Sequence, residues 1–414
     1  MSQSVEQDEI EQEFDIVVVG GGIVGLSFAC ELAATDFSVA VVERNELKAI
    51  SDEPDCRVSA INRFALQHFK RFGETVGSNA WQSILSERTC VFDKMFVWDQ
   101  TGAGQIQFDS VDLGVSELGI IIENNVLQQS LLEIVKAADN ITYLCPEEIS
   151  EISYQQDTAN DESGLPSSTV TLSSGAQLTA RLLVGADGAN SKVREVASIQ
   201  RSQKSYQQQG LVCNVATSEN HQNTAWQCFM PTGPLAFLPL YNGYSSIVWS
   251  LDEDSADAHM ALDDESFKRV LAESSEFKLG EITDLSQRFL FPLGHGHATD
   301  YVKPGLALIG DAAHSIHPLA GQGANLGIAD AAALADVITT ARQADRQWFA
   351  VHTLAKYQRQ RKGANQLMEM SMTGFKELFG QKNSLISEIR NAGLSLVDHL
   401  PALKYRIIKQ ALGI

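Results

Sequence analysis

The sequence predicts an α/β protein: a Rossmann-like dinucleotide-binding domain with an inserted antiparallel-sheet domain and C-terminal helices. Three observations predict it. A βαβ unit with a glycine-rich turn opens the chain at residues 14–43. Two further strand-to-turn stretches follow, at 182–194 and 305–335. Between these two, residues 205–250 and 285–293 carry the alternating or aromatic-rich runs that form antiparallel strands.

In the first stretch, Phe14 to Val19 is a Val-rich apolar run too short for a helix, which reads as a strand buried on both faces. Gly20, Gly22 and Gly25 then supply G-x-G-x-x-G. Gly20 allows the tight turn, Gly22 lets the backbone approach a pyrophosphate, and Gly25 lets the next helix pack on the strand. That helix, to about Ala34, offers free N–H groups and a positive dipole end to phosphates. Ser38 to Val42 forms a second buried strand, and Glu43 closes it, placed to accept a ribose hydroxyl. A carboxylate there repels a 2′-phosphate, so FAD or NAD is expected rather than NADP. A bare G-x-G-x-x-G is weak evidence; strand, glycines, helix, strand and acid in order are much stronger.

Length and composition bound the rest. The 414 residues suggest two or three domains, and 44% hydrophobic with 20% charged residues is ordinary for a globular enzyme. A formal net charge of −21 argues against nucleic acid as a partner. No apolar run approaches the roughly 18 residues needed to span a bilayer. The acidic start MSQSVEQDEIEQE is the opposite of a signal peptide, so a cytoplasmic location is expected. The six cysteines are scattered without C-x-x-C, which argues against a zinc site and a disulfide framework. From Ala350 to Ile414, ten Lys and Arg stand against four acids. This basic segment reads as helices with an apolar face running from Leu385 to Leu412. Packing on the main body is the first reading, and docking on an anionic membrane surface is the second.

Taken in order, a polar segment (44–55) leads to Arg57 and an amphipathic helix at about 63–71. Arg57 either pairs with a pyrophosphate or forms a surface ion pair. Residues 90–109 read as a β-hairpin, 120–138 as extended then helical, and 141–183 as short strands around an exposed polar tip. In LLVGADGANSKVR (182–194), Asp187-Gly188 at a strand end either meets a ribose or pyrophosphate or makes a simple turn. Residues 252–276 are acidic and helical. In the last stretch, a strand ends at Gly310-Asp311, and a loop with Pro318, Gly321 and Gly323 leads to a small-residue helix from about Ala324. Asp311 is placed for a polyol or ribose hydroxyl. Gly321, Gln322, Gly323 and Asn325 would present backbone N–H groups to an anion. His314 and His317 form H-x-x-H, but only Asp311 is close and no third histidine is near, so they read as structural and no metal is expected. His295 and His297 read as surface groups.

Together and in this order, GGGIVG with Glu43, GADGANSKVR and GDAAHSIHPLAGQGANLG resemble the flavoprotein aromatic hydroxylases of the para-hydroxybenzoate hydroxylase type, over essentially the whole chain. Within that class, RVSAIN, IENNVLQQSL, AFLPL, SIVWSL and IIKQALGI are most similar to bacterial ubiquinone-biosynthesis hydroxylases. The resemblance implies an FAD-binding domain from 1–80, 121–200 and 295–345, a substrate domain from 81–120 and 201–294, and a helical segment at 346–414. It implies that Gly20, Gly22, Gly25 and Glu43 hold the ADP half of FAD and that Arg57 and Gln128 contact the cofactor. Asp187 and Gly188 match a motif linked to both FAD and NAD(P)H. Asp311 would bind the ribityl–pyrophosphate region, and Pro318, Gly321, Gln322, Gly323, Ala324 and Asn325 would line the isoalloxazine. Ala324 departs from the valine more often expected there.

By the same resemblance, NADPH or NADH visits transiently to reduce the flavin. O₂ then forms a C4a-hydroperoxide that hydroxylates an electron-rich ring, with no catalytic side chain required. The substrate implied is a polyprenyl phenol, hydroxylated at C5 of 2-polyprenylphenol. The alternative is the C6 hydroxylase of 2-polyprenyl-3-methyl-6-methoxy-1,4-benzoquinol, towards which VLQQSL and PTGPLAFLPL lean. Another FAD monooxygenase, or a mainly scaffolding subunit, remains a lower reading. A ubiquinone-biosynthesis assembly, a homo-oligomer and peripheral contact at the inner face of the membrane are compatible partners.

Overall fold

The computed structural model describes residues 11–77, 88–155, 167–315 and 322–380. Its first sheet contains five parallel strands. In chain order these are Glu11–Val19, Val39–Val42, Ile141–Leu144, Gln177–Gly185 and Leu306–Leu308. Numbered one to five, they lie across the sheet as 5-4-1-2-3. The order therefore reverses between the first strand and Gln177–Gly185, and a crevice opens there beyond the carboxyl ends.

Burial follows the layers. Val39–Val42 is buried at every position, between two parallel neighbours and within the main apolar core. The Gln177–Gly185 strand changes character along its length. Its first half alternates, where it pairs antiparallel with Ser167–Leu172; its last four residues are all buried, where it runs between parallel neighbours. The Ile23–Leu32 helix is apolar nearly all round because it packs against the Asn124–Ala137 and Gln322–Gln343 helices as well as the sheet.

A nine-stranded sheet forms the second layer system, antiparallel except where Lys94–Asp99 pairs parallel with Thr224–Met230. Its core gathers Trp249, Phe237, Leu211 and Leu235 under the Glu253–Met260 and Asp264–Ser274 helices, which carry Ala256, Phe267 and Leu271. A three-stranded sheet of Val58–Asn62, Gly119–Glu123 and Thr89–Phe92 joins the two systems. The expected hairpin at 90–109 is therefore shorter: residues 94–109 make it, while Thr89–Phe92 turns away to another sheet. The amphipathic helix after Arg57 runs further than expected, over Arg63–Val76. The expected polar tip, 155–168, lies mostly at 156–166, outside the described residues, while Gln155, Ser167 and Ser168 belong to strands; the chain beyond the long Val351–Gly380 helix also lies outside them.

Candidate active site

The glycine turn after the first strand lies at the point where the strand order reverses. Gly20 has φ +106, and a Cβ there would stand 2.5 Å from the Ala186 carbonyl oxygen at the end of the Gln177–Gly185 strand. A Cβ on Gly25 would stand 2.0 Å from the Gly20 carbonyl oxygen. Gly22 differs: nothing lies within 4 Å of its Cβ position, and no side chain caps the helix it begins. The first N–H groups of this helix are therefore left without a side-chain cap. Glu43 accepts the Gly21 N–H at 2.7 Å through Oε2 and the Asn45 N–H at 2.9 Å through Oε1. Gln128, on the Asn124–Ala137 helix, donates from Nε2 to the Gly21 carbonyl at 2.7 Å, so it grips the turn from behind.

The strand neighbouring this turn ends in Asp187 and Gly188. Asp187 Oδ2 accepts from the Lys192 and Val193 backbones at 2.7 and 3.3 Å, while Oδ1 is buried without a partner. Burial raises the Asp187 pKa, partly offset by the hydrogen bond to Ser191 and those to the backbone. Arg194 donates to the carbonyls of Ala312 (2.9 Å) and Ala189 (2.8 Å). Arg201 donates to Ala189 (2.7 Å) and to Ser315 Oγ (2.7 Å). Two arginines thus tie the turn after Gly185 to the turn holding Asp311. Asp311 reaches solvent at the crevice, yet the protein packed about its carboxyl raises its pKa; His314 and Arg201 act in the opposite direction.

The Gln322–Gln343 helix completes the crevice. Pro318 and Gly321 lie outside the described residues; Gly323 and Ala324 are half-buried in the first turn. Asn325 is turned inward, accepting the Asn62 N–H at 2.9 Å and donating to the Ala60 carbonyl at 2.7 Å. Its side chain thus stitches the helix to a strand. Arg57 lies with its guanidinium 5.3 Å from the Phe291 ring, on the antiparallel sheet. His297 is buried, with Nδ1 3.4 Å from Glu369, and His295 is half-buried and bonds Glu369 through Nδ1, correcting the expectation of surface histidines.

Sequence reasoning passed over Asp330, Arg361, Asn365 and Arg201. A lone acid within the apolar, small-residue run GIADAAALA was the available signal for Asp330, which is 0% exposed.

The open helix N-terminus at Gly22, the Glu43 carboxylate with lone pairs to spare, and the orphaned Asp187 Oδ1 suit a dinucleotide lying across this crevice. Comparison with known proteins agrees. The FAD binding domain family matches residues 126–371, more than half the chain, and the FAD dependent oxidoreductase family matches residues 15–51. The 3-demethoxyubiquinol 3-hydroxylase of Escherichia coli K12 is 35% identical over 97% of this chain and 99% of its own. The chain belongs to the FAD-dependent ring hydroxylases of ubiquinone biosynthesis. The human mitochondrial ubiquinone biosynthesis monooxygenase COQ6 is 32% identical over 95% of this chain and 92% of its own. The structure of p-nitrophenol 4-monooxygenase from Pseudomonas putida DLL-E4 superimposes with TM-score 0.74 over 96% of this chain, at 18% identity, and shares the fold. This hydroxylase is accordingly a flavoprotein monooxygenase using FAD, NAD(P)H and O₂. Among the described residues, no helix is long and apolar enough to cross a membrane.

Proposed function

We propose that this hydroxylase is the C6 hydroxylase of 2-polyprenyl-3-methyl-6-methoxy-1,4-benzoquinol, adding oxygen to its one unsubstituted ring carbon. The observation that carries the reading is the near full-length similarity to a 3-demethoxyubiquinol 3-hydroxylase. It favours this reading over C5 hydroxylation of 2-polyprenylphenol. C5 stays as the second reading.

FAD, when bound, supplies the electron storage and O₂ activation. The chain's own part is binding, orientation and exclusion of water. In this reading, Gly20, Gly22 and Gly25 with their helix N-terminus receive the pyrophosphate, Glu43 the adenosine ribose, and Gln128 holds the turn in place. Asp187 and Asp311 face the crevice from its two adjoining turns, and residues 318–325 support the isoalloxazine. The apolar cluster of Ala225, Ala236, Leu238 and Leu240 with Ala60 and Ile121 joins the antiparallel sheet to the three-stranded sheet. It gives an apolar wall of the kind needed to keep water from a reactive oxygen species. The basic stretch from Ala350 to Ile414 would bring the protein to an anionic membrane surface where a prenylated substrate resides. A ubiquinone-biosynthesis assembly and self-association belong to the same reading.

Purified protein reconstituted with FAD, then supplied with NADPH, O₂ and short-chain forms of both substrates, tests it. We expect one added oxygen on the methoxylated benzoquinol, at its one unsubstituted ring carbon by positional assignment. Hydroxylation of only the 2-prenylphenol would move the assignment to C5. NADPH consumption that ends in peroxide with either compound would reject both substrates.

A further inference from the structure

Asp330 stands about two turns inside the Gln322–Gln343 helix, and four donors from two other places converge on its carboxylate. Oδ2 accepts from His314 Nε2 at 2.5 Å and from the Gly310 N–H at 3.2 Å. Oδ1 accepts from Arg361 Nε at 2.7 Å and from Asn365 Nδ2 at 3.1 Å. Gly310 and His314 bracket the turn that carries Asp311. Arg361 and Asn365 belong to the Val351–Gly380 helix.

That helix also reaches the antiparallel sheet. Asn365 Nδ2 contacts the Tyr301 hydroxyl at 3.4 Å, and that hydroxyl meets His297 Nε2 at 3.2 Å. Glu369 bonds His295 Nδ1 at 2.6 Å. If the space around residue 330 needed only filling, an apolar side chain would fill it without the cost of burying a charge. A carboxylate adds direction: two oxygens, each holding a separate piece of backbone or side chain.

We propose that Asp330 is a positioning residue for the cofactor, fixing the Gly310–His314 turn, and with it Asp311, against the long C-terminal helix. The inference rests on the FAD placement given above and deepens it. Asp330 touches neither cofactor nor substrate; it acts through Gly310 and His314. Replacing it by Asn substitutes an N–H₂ for one acceptor, so either the His314 side or the Arg361 side of the network loses its bond.

The test uses the full-length protein with Asp330→Asn, His314→Ala and Asp311→Asn. It reads FAD affinity by fluorescence titration, the visible spectrum and midpoint potential of bound flavin, and the melting temperature of the apoprotein. Asp330→Asn and His314→Ala are expected to weaken FAD by about tenfold or more and to shift the spectrum or potential of the flavin that remains bound. A lower melting temperature with unchanged affinity, spectrum and potential would overturn the positioning role. Should Asp330→Asn not fold, His314→Ala decides alone, since it leaves Asp330 its other three donors. Weakening by Asp311→Asn without effect from the other two defeats this inference but not the FAD placement. No effect from Asp311→Asn defeats the placement, and the inference with it.

Discussion

Gly22 and Gly25 sit three positions apart under opposite constraints. A Cβ on Gly25 meets a backbone carbonyl oxygen at 2.0 Å, which cannot move without breaking the turn. Gly25→Ala should therefore cost about 3 kcal/mol or more, at the upper end of overpacking, and abolish FAD binding. A Cβ on Gly22 meets nothing in the protein. Gly22→Ala should cost the apoprotein about 1 kcal/mol or less yet weaken FAD, because the methyl occupies the cofactor's space. Thermal melts of the apoproteins beside FAD titrations check the pair. Equal melting temperatures for the two variants would refute the steric account. Glycines of this kind were legible in the sequence because their spacing reports a local backbone requirement. Arg201 was not: its partners Ala189 and Ser315 are brought to it only by the fold.

At the scale of elements, the Gln322–Gln343 helix is held at its start by Asn325 and packed closely along its length. A Cβ on Gly327 would lie 2.4 Å from Val24 Cγ2, so the small residues of this helix let it sit directly against Ile23–Leu32. The sequence showed the small residues but not what they accommodate. Asn325 is expected to offer its backbone N–H to an anion; its side chain has a separate task, satisfying Ala60 and Asn62. Asn325→Ala removes the side-chain bonds to the Ala60 carbonyl and the Asn62 N–H, and should destabilise the protein by about 1–3 kcal/mol. Denaturant titration measures this; a change below about 0.5 kcal/mol would show that water replaces both bonds. The Gln177–Gly185 strand teaches a related lesson. Alternating burial gives way to continuous burial within one strand: parallel to Glu11–Val19 throughout on one edge, it exchanges an antiparallel neighbour for a parallel one on the other.

Across the whole molecule, buried titratable groups set the response to acid. His297 and His221 are buried, and burial lowers the pKa of each from 6.5; Glu369 partly opposes this at His297, while His314 and Lys362 reinforce it. The unfolded chain therefore takes up these protons at higher pH than the folded one. Their contribution to stability is complete above about pH 6.5 and is lost as pH falls below it. Asp330 behaves as a depressed carboxylate. Burial alone would raise its pKa, but His314 and Arg361 outweigh that and hold it at about 2. Its contribution persists to lower pH, disappearing between about 3.8 and 2. Urea midpoints should thus fall between pH 7.5 and pH 5, and His297→Gln should flatten part of that fall. A midpoint independent of pH over this range would contradict the assignment.

The chain's contiguous stretches determined the dinucleotide turn, the class of fold and the cofactor. Each depends on backbone conformations and burial patterns that a dozen neighbouring residues specify among themselves. Where separate stretches meet was decided only by the tertiary structure. Residues 94–99 pair in parallel with 224–230, Thr89–Phe92 leaves the expected hairpin, and Arg361 comes to Asp330 across thirty-one positions. Such meetings depend on which loops close and which faces must be buried together, and no local run of residues carries that information.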